Sequence, residues 1–232
     1  MPRIARICIP SVPHHVIQRG NNRQDIFFVD DDRRYYLMLL REHLTKHAIK
    51  VRGYILMTNH IHVIAVPHQE DSLAKAFGRA HYLYTRYINR LHDRIGHLWQ
   101  NRFSSSPMDE AYSYKALRYI ELNPVRAKMV RHAEDYKWSS AAAHLDGKDP
   151  SGLLDLEDWK SSGWRQHWKE ELHRKDNPGE IESFRLHVRT GRPLGTDSFI
   201  SKLETMTGRR LRAEPVGRPK KKIKSKKRKI NR

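Results

Sequence analysis

The sequence has a single cysteine, Cys8, among its 232 residues. One cysteine excludes an intrachain disulfide framework and any zinc site built from several cysteines, and it favours a reducing, intracellular compartment. No run of eighteen apolar residues occurs, so no membrane-spanning helix is expected. Residues 1–13 start with basic character, but their apolar part is too short and too interrupted by proline for a secretory signal.

Acidic residues are also scarce. The chain has 26 Asp and Glu against 45 Lys and Arg, a formal net charge of +19. Residues 209–232 hold thirteen Lys and Arg and one acid, a net charge of +12, which leaves +7 for the rest. An excess of this size favours a polyanionic partner, and nucleic acid is the first candidate.

Apolar periodicity predicts an alternation of strands and helices. The predicted elements are a strand at 14–19, a helix at about 31–47, strands at 50–57 and 59–66, a helix at about 73–91, a strand near 102–106, a helix at about 109–122 and a shorter helix at about 124–130. The residues at 58 and 59 are a possible tight turn, although 50–66 could also be one long strand with an irregularity. The short apolar run at 26–29 is either strand-like or packs into the next element. This order predicts an α+β fold, with a ferredoxin-like antiparallel sheet and helices on one face.

The composition changes after Ser140. We predict a first domain at 1–140 and a mostly helical and irregular C-terminal extension at 141–208, with helices near 156–159, 179–188 and 196–206. Residues 209–232 are predicted to be a disordered basic tail, because they cannot bury enough apolar surface to fold alone.

His60 and His62 lie two residues apart in an apolar, β-branched run. Side chains alternate between the faces of a strand, so both imidazoles should project from one face and reach one cation. Two polar residues on a half-buried strand are an equally good interpretation of this pair alone. His14 and His15 are adjacent and should face opposite ways, which favours core or surface histidines.

Tyr119 and Asn123 are four residues apart, so one helix face would present both. Two imidazoles and an amide oxygen make a plausible site for Mg²⁺ or Mn²⁺, and a phenol beside such a metal is a potential nucleophile. The alternatives are that Tyr119 packs in the core and that Asn123 caps a helix beginning at Pro124.

These segments together resemble a known family. Asn59-His60-Ile61-His62 resembles the His-hydrophobic-His motif of HUH endonucleases, and Tyr119-Ile120-Glu121-Leu122-Asn123-Pro124-Val125-Arg126-Ala127 resembles the tyrosine motif of single-tyrosine HUH transposases. The REP-associated tyrosine transposases are the most similar group. Further agreements are the segments at 19–23, 98–103 and 136–140, so the resemblance covers roughly residues 10–145.

The resemblance implies a metal-dependent endonuclease and strand transferase that acts on single-stranded DNA hairpins formed by palindromic repeats. Its metal, Mg²⁺ or Mn²⁺, would be bound by His60, His62 and Asn123. Tyr119 would attack a phosphate, form a 5′-phosphotyrosine link and release a 3′-OH. The imidazoles and the Tyr119 hydroxyl should then converge on one metal-sized space. The residues expected to contact DNA are Arg19, Asn21, Arg23, Arg102 and Arg126.

The tail adds a second expected DNA contact. Gly217-Arg218-Pro219-Lys220, followed by Lys221 and Lys222, resembles an AT-hook that enters the A·T minor groove. A generic polybasic tail that binds any phosphate backbone is the alternative.

The long extension departs from the minimal transposases of this group, which puts in doubt that DNA recognition is confined to the first domain. Alternative functions are a domesticated binder of structured DNA without transposition, and an RNA-binding protein. The expected location is the bacterial cytoplasm, at the nucleoid. A monomer is favoured over a homodimer.

Overall fold

The structure, a computed structural model, describes residues 6–213, so the expected DNA contacts Arg218, Lys220, Lys221 and Lys222 lie outside the described residues. Four antiparallel strands form one sheet in the order β2-β3-β1-β4. The strands are β1 (His14–Arg19), β2 (Lys50–Met57), β3 (His60–Val66) and β4 (Ser104–Pro107). This order, reached by a β-α-β-β-α-β path along the chain, confirms the predicted ferredoxin-like α+β fold.

The helices follow the predicted positions in the first part of the chain. They are α1 (Asp30–Lys46), α2 (Ser72–Leu91), α3 (Glu110–Glu121), α4 (Asn123–Arg126), α5 (Ala141–Asp146), α6 (Leu156–Ser161), α7 (Trp168–His173), α8 (Pro178–Thr190) and α9 (Asp197–Thr207). Helix α4 is shorter than expected because Lys128 adopts a positive φ of 57°. The run at 26–29 forms no strand, and Ile26 and Phe27 are buried in the core.

The sheet has two buried faces. The register places Arg19 opposite His60 and Ile17 opposite His62, so these four side chains share one face. Helix α3 packs on that side. The residues that alternate with them, including Val16, Ile61 and Val63, are fully buried on the other face. The prediction of helices on one face of the sheet was therefore incomplete, because both faces are covered.

The C-terminal extension packs against the end of α3. Glu121, which is fully buried, accepts hydrogen bonds from Ser140 Oγ at 2.5 Å, from His144 Nδ1 at 2.6 Å and from Trp168 Nε1 at 2.9 Å. Trp159 Nε1 donates to the backbone carbonyl of His144 at 3.0 Å. The extension thus shares the core of the sheet domain, and the domain boundary at residue 140 stays a prediction. No helix within residues 6–213 is both long and apolar enough to cross a bilayer.

Helix α3 lies so close to the sheet at Gly53 that no side chain fits there without a shift of its neighbours. A Cβ at this position would lie 2.2 Å from Leu117 Cδ1 and 3.0 Å from Ser140 Oγ. Gly53→Ala should therefore lower the free energy of unfolding by about 1–3 kcal/mol, measured by urea denaturation. The matched control is Gly78→Ala on α2, where a Cβ meets no atom within 4 Å. That variant should gain about 0.5–1 kcal/mol, because alanine favours the helix. Equal effects at both positions would contradict close packing of α3.

Candidate active site between the sheet and helix α3

His60 and His62 begin β3 and point to the same side of the sheet. Their ring centroids are 5.1 Å apart and the ring planes are nearly perpendicular. His62 is buried and His60 is partly buried. The alternation expected from the sequence therefore brings the two imidazoles together at one end of the strand.

Hydrogen bonds hold one nitrogen of each imidazole. His60 Nδ1 bonds Asn59 Oδ1 at 2.7 Å, and because the amide oxygen only accepts, Nδ1 carries the proton and the Nε2 lone pair is free. Burial, with a smaller effect of Arg19, lowers the pKa of His60 to about 4. Burial, followed by the neighbouring His15 and His60, lowers the pKa of His62 well below its usual value. Both rings are thus neutral at pH 7, the state in which imidazole binds metals.

His15 is the partner of His62, a contact that could not be predicted from the sequence. His15 Nε2 and His62 Nδ1 are 2.7 Å apart, and the rings are stacked at 4.9 Å. His15 is 1% exposed, and burial lowers its pKa to about 3. His15 Nδ1 is buried without a hydrogen-bond partner among the described residues. When His62 donates from Nδ1 to the neutral His15 ring, the Nε2 lone pair of His62 is free on the cleft side.

Tyr119 and Asn123 reach the histidines from α3 and α4. The Asp109 carboxylate caps α3 by accepting from Tyr112 N at 2.9 Å, and the helix ends before the Asn123-Pro124 pair. The Tyr119 ring stands perpendicular to that of His62 at 6.3 Å. Asn123 Nδ2 is buried without a partner among residues 6–213. The helical spacing therefore places a phenol and an amide beside the two imidazoles.

Arg126 lies against the Tyr119 ring, and Asp176 pairs with Arg126. The Arg126 guanidinium lies 4.4 Å from the Tyr119 ring centroid, and its Nη2 donates to Asn123 Oδ1 at 3.2 Å and to the Tyr119 carbonyl. Asp176, in the extension, bonds Arg126 Nη1 at 3.3 Å and Arg118 Nη1 at 2.8 Å. Burial lowers the pKa of Arg126, and Tyr119 and Asp176 act against this shift. Arg126, expected to bind DNA, is thus engaged in contacts that position the tyrosine.

Helix α8 adds residues that sequence reasoning did not find. Phe184 lies 4.3 Å from the Tyr119 ring centroid and 5.2 Å from that of His15. Arg185, the next residue, and Val188, one turn further along α8, face the same cleft as the histidines. The helix was expected near 179–188, but no motif marked its contact with the tyrosine.

One cleft of about 520 Å³ joins these groups. Its walls include seven of the residues singled out from the sequence: His60, His62, Tyr119, Asn123, Arg19, Arg23 and Arg102. Asn21 lies in the 3-10 turn Asn21–Arg23, and its backbone N–H donates to the Leu98 carbonyl at 2.8 Å. Asn21 does not line the cleft. The arrangement combines two neutral imidazoles, a phenol and an amide with four arginines, the fourth being Arg185 of α8.

Comparisons with known proteins agree with this architecture. A family model described as "Transposase IS200 like" matches residues 8–123. The structure of a REP-associated tyrosine transposase bound to a REP hairpin matches with a TM-score of 0.51 and 16% identity, over 67% of this chain and 90% of that chain. A putative transposase from Deinococcus radiodurans R1 matches with a TM-score of 0.37 and 18% identity, over 51% and 95% of the two chains. A search of curated protein sequences finds no significant match.

Asp176→Ala tests whether the extension supports the site. The change leaves the largely buried Arg126 guanidinium without a carboxylate and leaves Arg118 with only the Glu171 carboxylate at 3.7 Å, so we expect a loss of about 1–3 kcal/mol in the free energy of unfolding. Amide hydrogen exchange in α8 should also become faster. Glu157→Ala, which removes an exposed ion pair with Lys160 (2.9 Å), is the control and should cost no more than about 0.5 kcal/mol. A loss at Asp176 no larger than at Glu157 would contradict a supporting role.

Proposed function

Because the chain belongs to the IS200-like transposase family, we propose that it is a metal-dependent endonuclease and strand transferase for single-stranded DNA, with Tyr119 as its nucleophile. The observation that carries this proposal is the convergence of His60, His62, Tyr119 and Asn123 on one cleft. A protein that only binds DNA has no need for a phenol beside two neutral imidazoles. The four arginines of the same cleft, which are Arg19, Arg23, Arg102 and Arg185, supply positive charge where a phosphodiester would lie.

The chemistry assigned to Tyr119 is a transesterification. The Tyr119 oxygen attacks the phosphorus of a phosphodiester, forms a 5′-phosphotyrosine bond and breaks the bond between phosphorus and the 3′ oxygen. The phenol gives up its proton, and the leaving oxygen takes one up to become a 3′-OH. Because the phosphotyrosine keeps the ester bond, a second 3′-OH can attack it and rejoin the strand.

The residues of the cleft fit a divalent metal ion. His60 offers a free Nε2 lone pair, since its Nδ1 is held by Asn59, and His62 does the same in the tautomer that donates to His15. The Asn123 carbonyl oxygen accepts from Arg126 and has a second lone pair for a metal. The metal would polarise the phosphoryl oxygen and stabilise charge in the transition state. Imidazole ligands make Mn²⁺ competent alongside Mg²⁺.

The proposed substrate is a DNA hairpin with a flanking single strand. The REP-associated transposase that shares the fold was solved bound to a REP hairpin. In this chain, Arg19, Arg23 and Arg102 line the cleft from β1, the turn after it and the segment before β4. We infer that they would neutralise phosphates near the reacting bond. The net charge of +19 supports binding of the remaining duplex.

Tyr119→Phe should abolish covalent adduct formation, because it removes the attacking oxygen and keeps the ring that packs against Phe184. The assay incubates the full chain with Mn²⁺ and labelled palindromic-repeat hairpins, then separates adducts on a denaturing gel. Tyr82→Phe on the exposed face of α2 is the control and should form the adduct normally. An adduct with Tyr119→Phe would disprove the assigned nucleophile. Binding without an adduct in the unaltered chain would favour a domesticated DNA-binding protein.

His15 should control metal binding through His62. His15→Leu leaves His62 Nδ1 without a partner, so Mn²⁺ affinity should fall by about 10–100-fold, measured by calorimetry. His15→Gln, whose amide oxygen can accept from His62, should recover most of that affinity. His14→Gln is the neighbouring control, because His14 Nδ1 bonds the Val12 carbonyl at 2.7 Å and lies on the other face. Unchanged Mn²⁺ affinity in His15→Leu would contradict the positioning role.

A further inference from the structure

A second group of donor atoms lies outside the cleft. His132 precedes the 3-10 turn Ala133–Asp135, and Glu134 lies within this turn. His173 is the last residue of α7. One ligand atom from each of the three residues lies within 4.8 Å of the other two. His173 Nε2 is 3.1 Å from Glu134 Oε1, and the two imidazole centroids are 5.0 Å apart. The proposed transposase chemistry gives these residues no role.

The Glu134 carboxylate is ionised, and only one of its two oxygens has a hydrogen-bond partner among the described residues. Burial acts to raise the pKa of Glu134, but hydrogen bonds from the backbone and from His173 hold it below its usual value. Glu134 Oε2 is buried without a hydrogen-bond partner among the described residues. A buried carboxylate oxygen without a partner is costly, and a cation offsets that cost.

We propose that His132, Glu134 and His173 form a second divalent-metal site, of the type that binds Zn²⁺. Two imidazoles and one carboxylate are a well-known zinc ligand set, in which water takes the fourth position. This donor chemistry differs from that of the cleft, which offers an amide in place of the carboxylate. Exposed His132 and His173 give an ion direct access from solvent.

The site would join two parts of the chain. His132 and Glu134 follow α4, whereas His173 belongs to the extension. Three residues after His173, Asp176 pairs with Arg118 and Arg126, and Arg126 lies over the Tyr119 ring. A bound ion would therefore stabilise the packing of the extension beside Tyr119. The adjacent cavity of about 380 Å³ is lined by four cationic side chains, Arg126, Arg131, Arg174 and Lys175, and by the Asp176 carboxylate. This excess of positive charge opposes a bare cation, so binding requires the ionised Glu134.

The test measures metal stoichiometry on the full chain. Equilibrium dialysis against Zn²⁺, followed by metal analysis, should give one equivalent less in the His132→Gln, His173→Gln double variant than in the unaltered chain. Zn²⁺ should also raise the Tm of the unaltered chain by several degrees more than that of the double variant. His167→Gln is the matched control, because His167 Nδ1 lies 3.7 Å from Glu170 on the same extension but has no third ligand among residues 6–213. It should retain the full stoichiometry.

Glu134→Gln gives a second measurement that leaves both imidazoles in place, so it separates metal loss from unfolding. It should lose the same equivalent of Zn²⁺ while keeping the Tm of the metal-free chain within a few degrees. Equal Zn²⁺ stoichiometry in the unaltered chain and in both sets of variants would overturn the proposal. These outcomes do not depend on Tyr119, so they are separate from a failure of the proposed endonuclease activity.

Discussion

The buried carboxylate of Glu121 is the constraint that connects helix α3, which carries Tyr119, to the rest of the molecule. A fully buried charge must be hydrogen bonded, and Glu121 accepts from Ser140, His144 and Trp168. These donors lie before α5, within α5 and at the start of α7, so the carboxylate brings three parts of the later chain to one point. Glu121 lies two residues after Tyr119, and its burial therefore fixes the last turn of α3 against the sheet. The position of the phenol follows from this network as much as from the strands.

The sequence predicted the sheet and its long helices because each has a strong local pattern. Alternation defined β1 and the β2–β3 hairpin, and apolar spacing defined α1, α2 and α3. Helices α5 and α7 were not predicted. Each has six residues, too few to form without tertiary contacts, and each is held by Glu121 through His144 or Trp168. The coverage of both sheet faces was also missed, because a β-branched run such as β3 shows burial without showing what covers it.

The candidate site was also predicted only in part from the sequence. His60 and His62 share a face by alternation, and Tyr119 and Asn123 share a face by helical spacing, so local geometry predicted that both pairs could act together. His15 could not be recognised, because its contact with His62 depends on the register between β1 and β3. Phe184 and Asp176 are later still in the chain and carry no motif. Their contacts with Tyr119 and Arg126 exist only after the extension has packed.

The family model matches the chain only as far as residue 123, yet several side chains that position Tyr119 lie after that residue. Arg126 lies against the phenol ring, and a guanidinium that is largely buried needs a carboxylate nearby. The extension supplies that carboxylate as Asp176, and it supplies Phe184 to the ring itself. Asp176 also binds Arg118, which lies next to Tyr119 in α3. The charge balance and the packing around Tyr119 are therefore completed from outside the matched region, which makes the extension a structural part of this site.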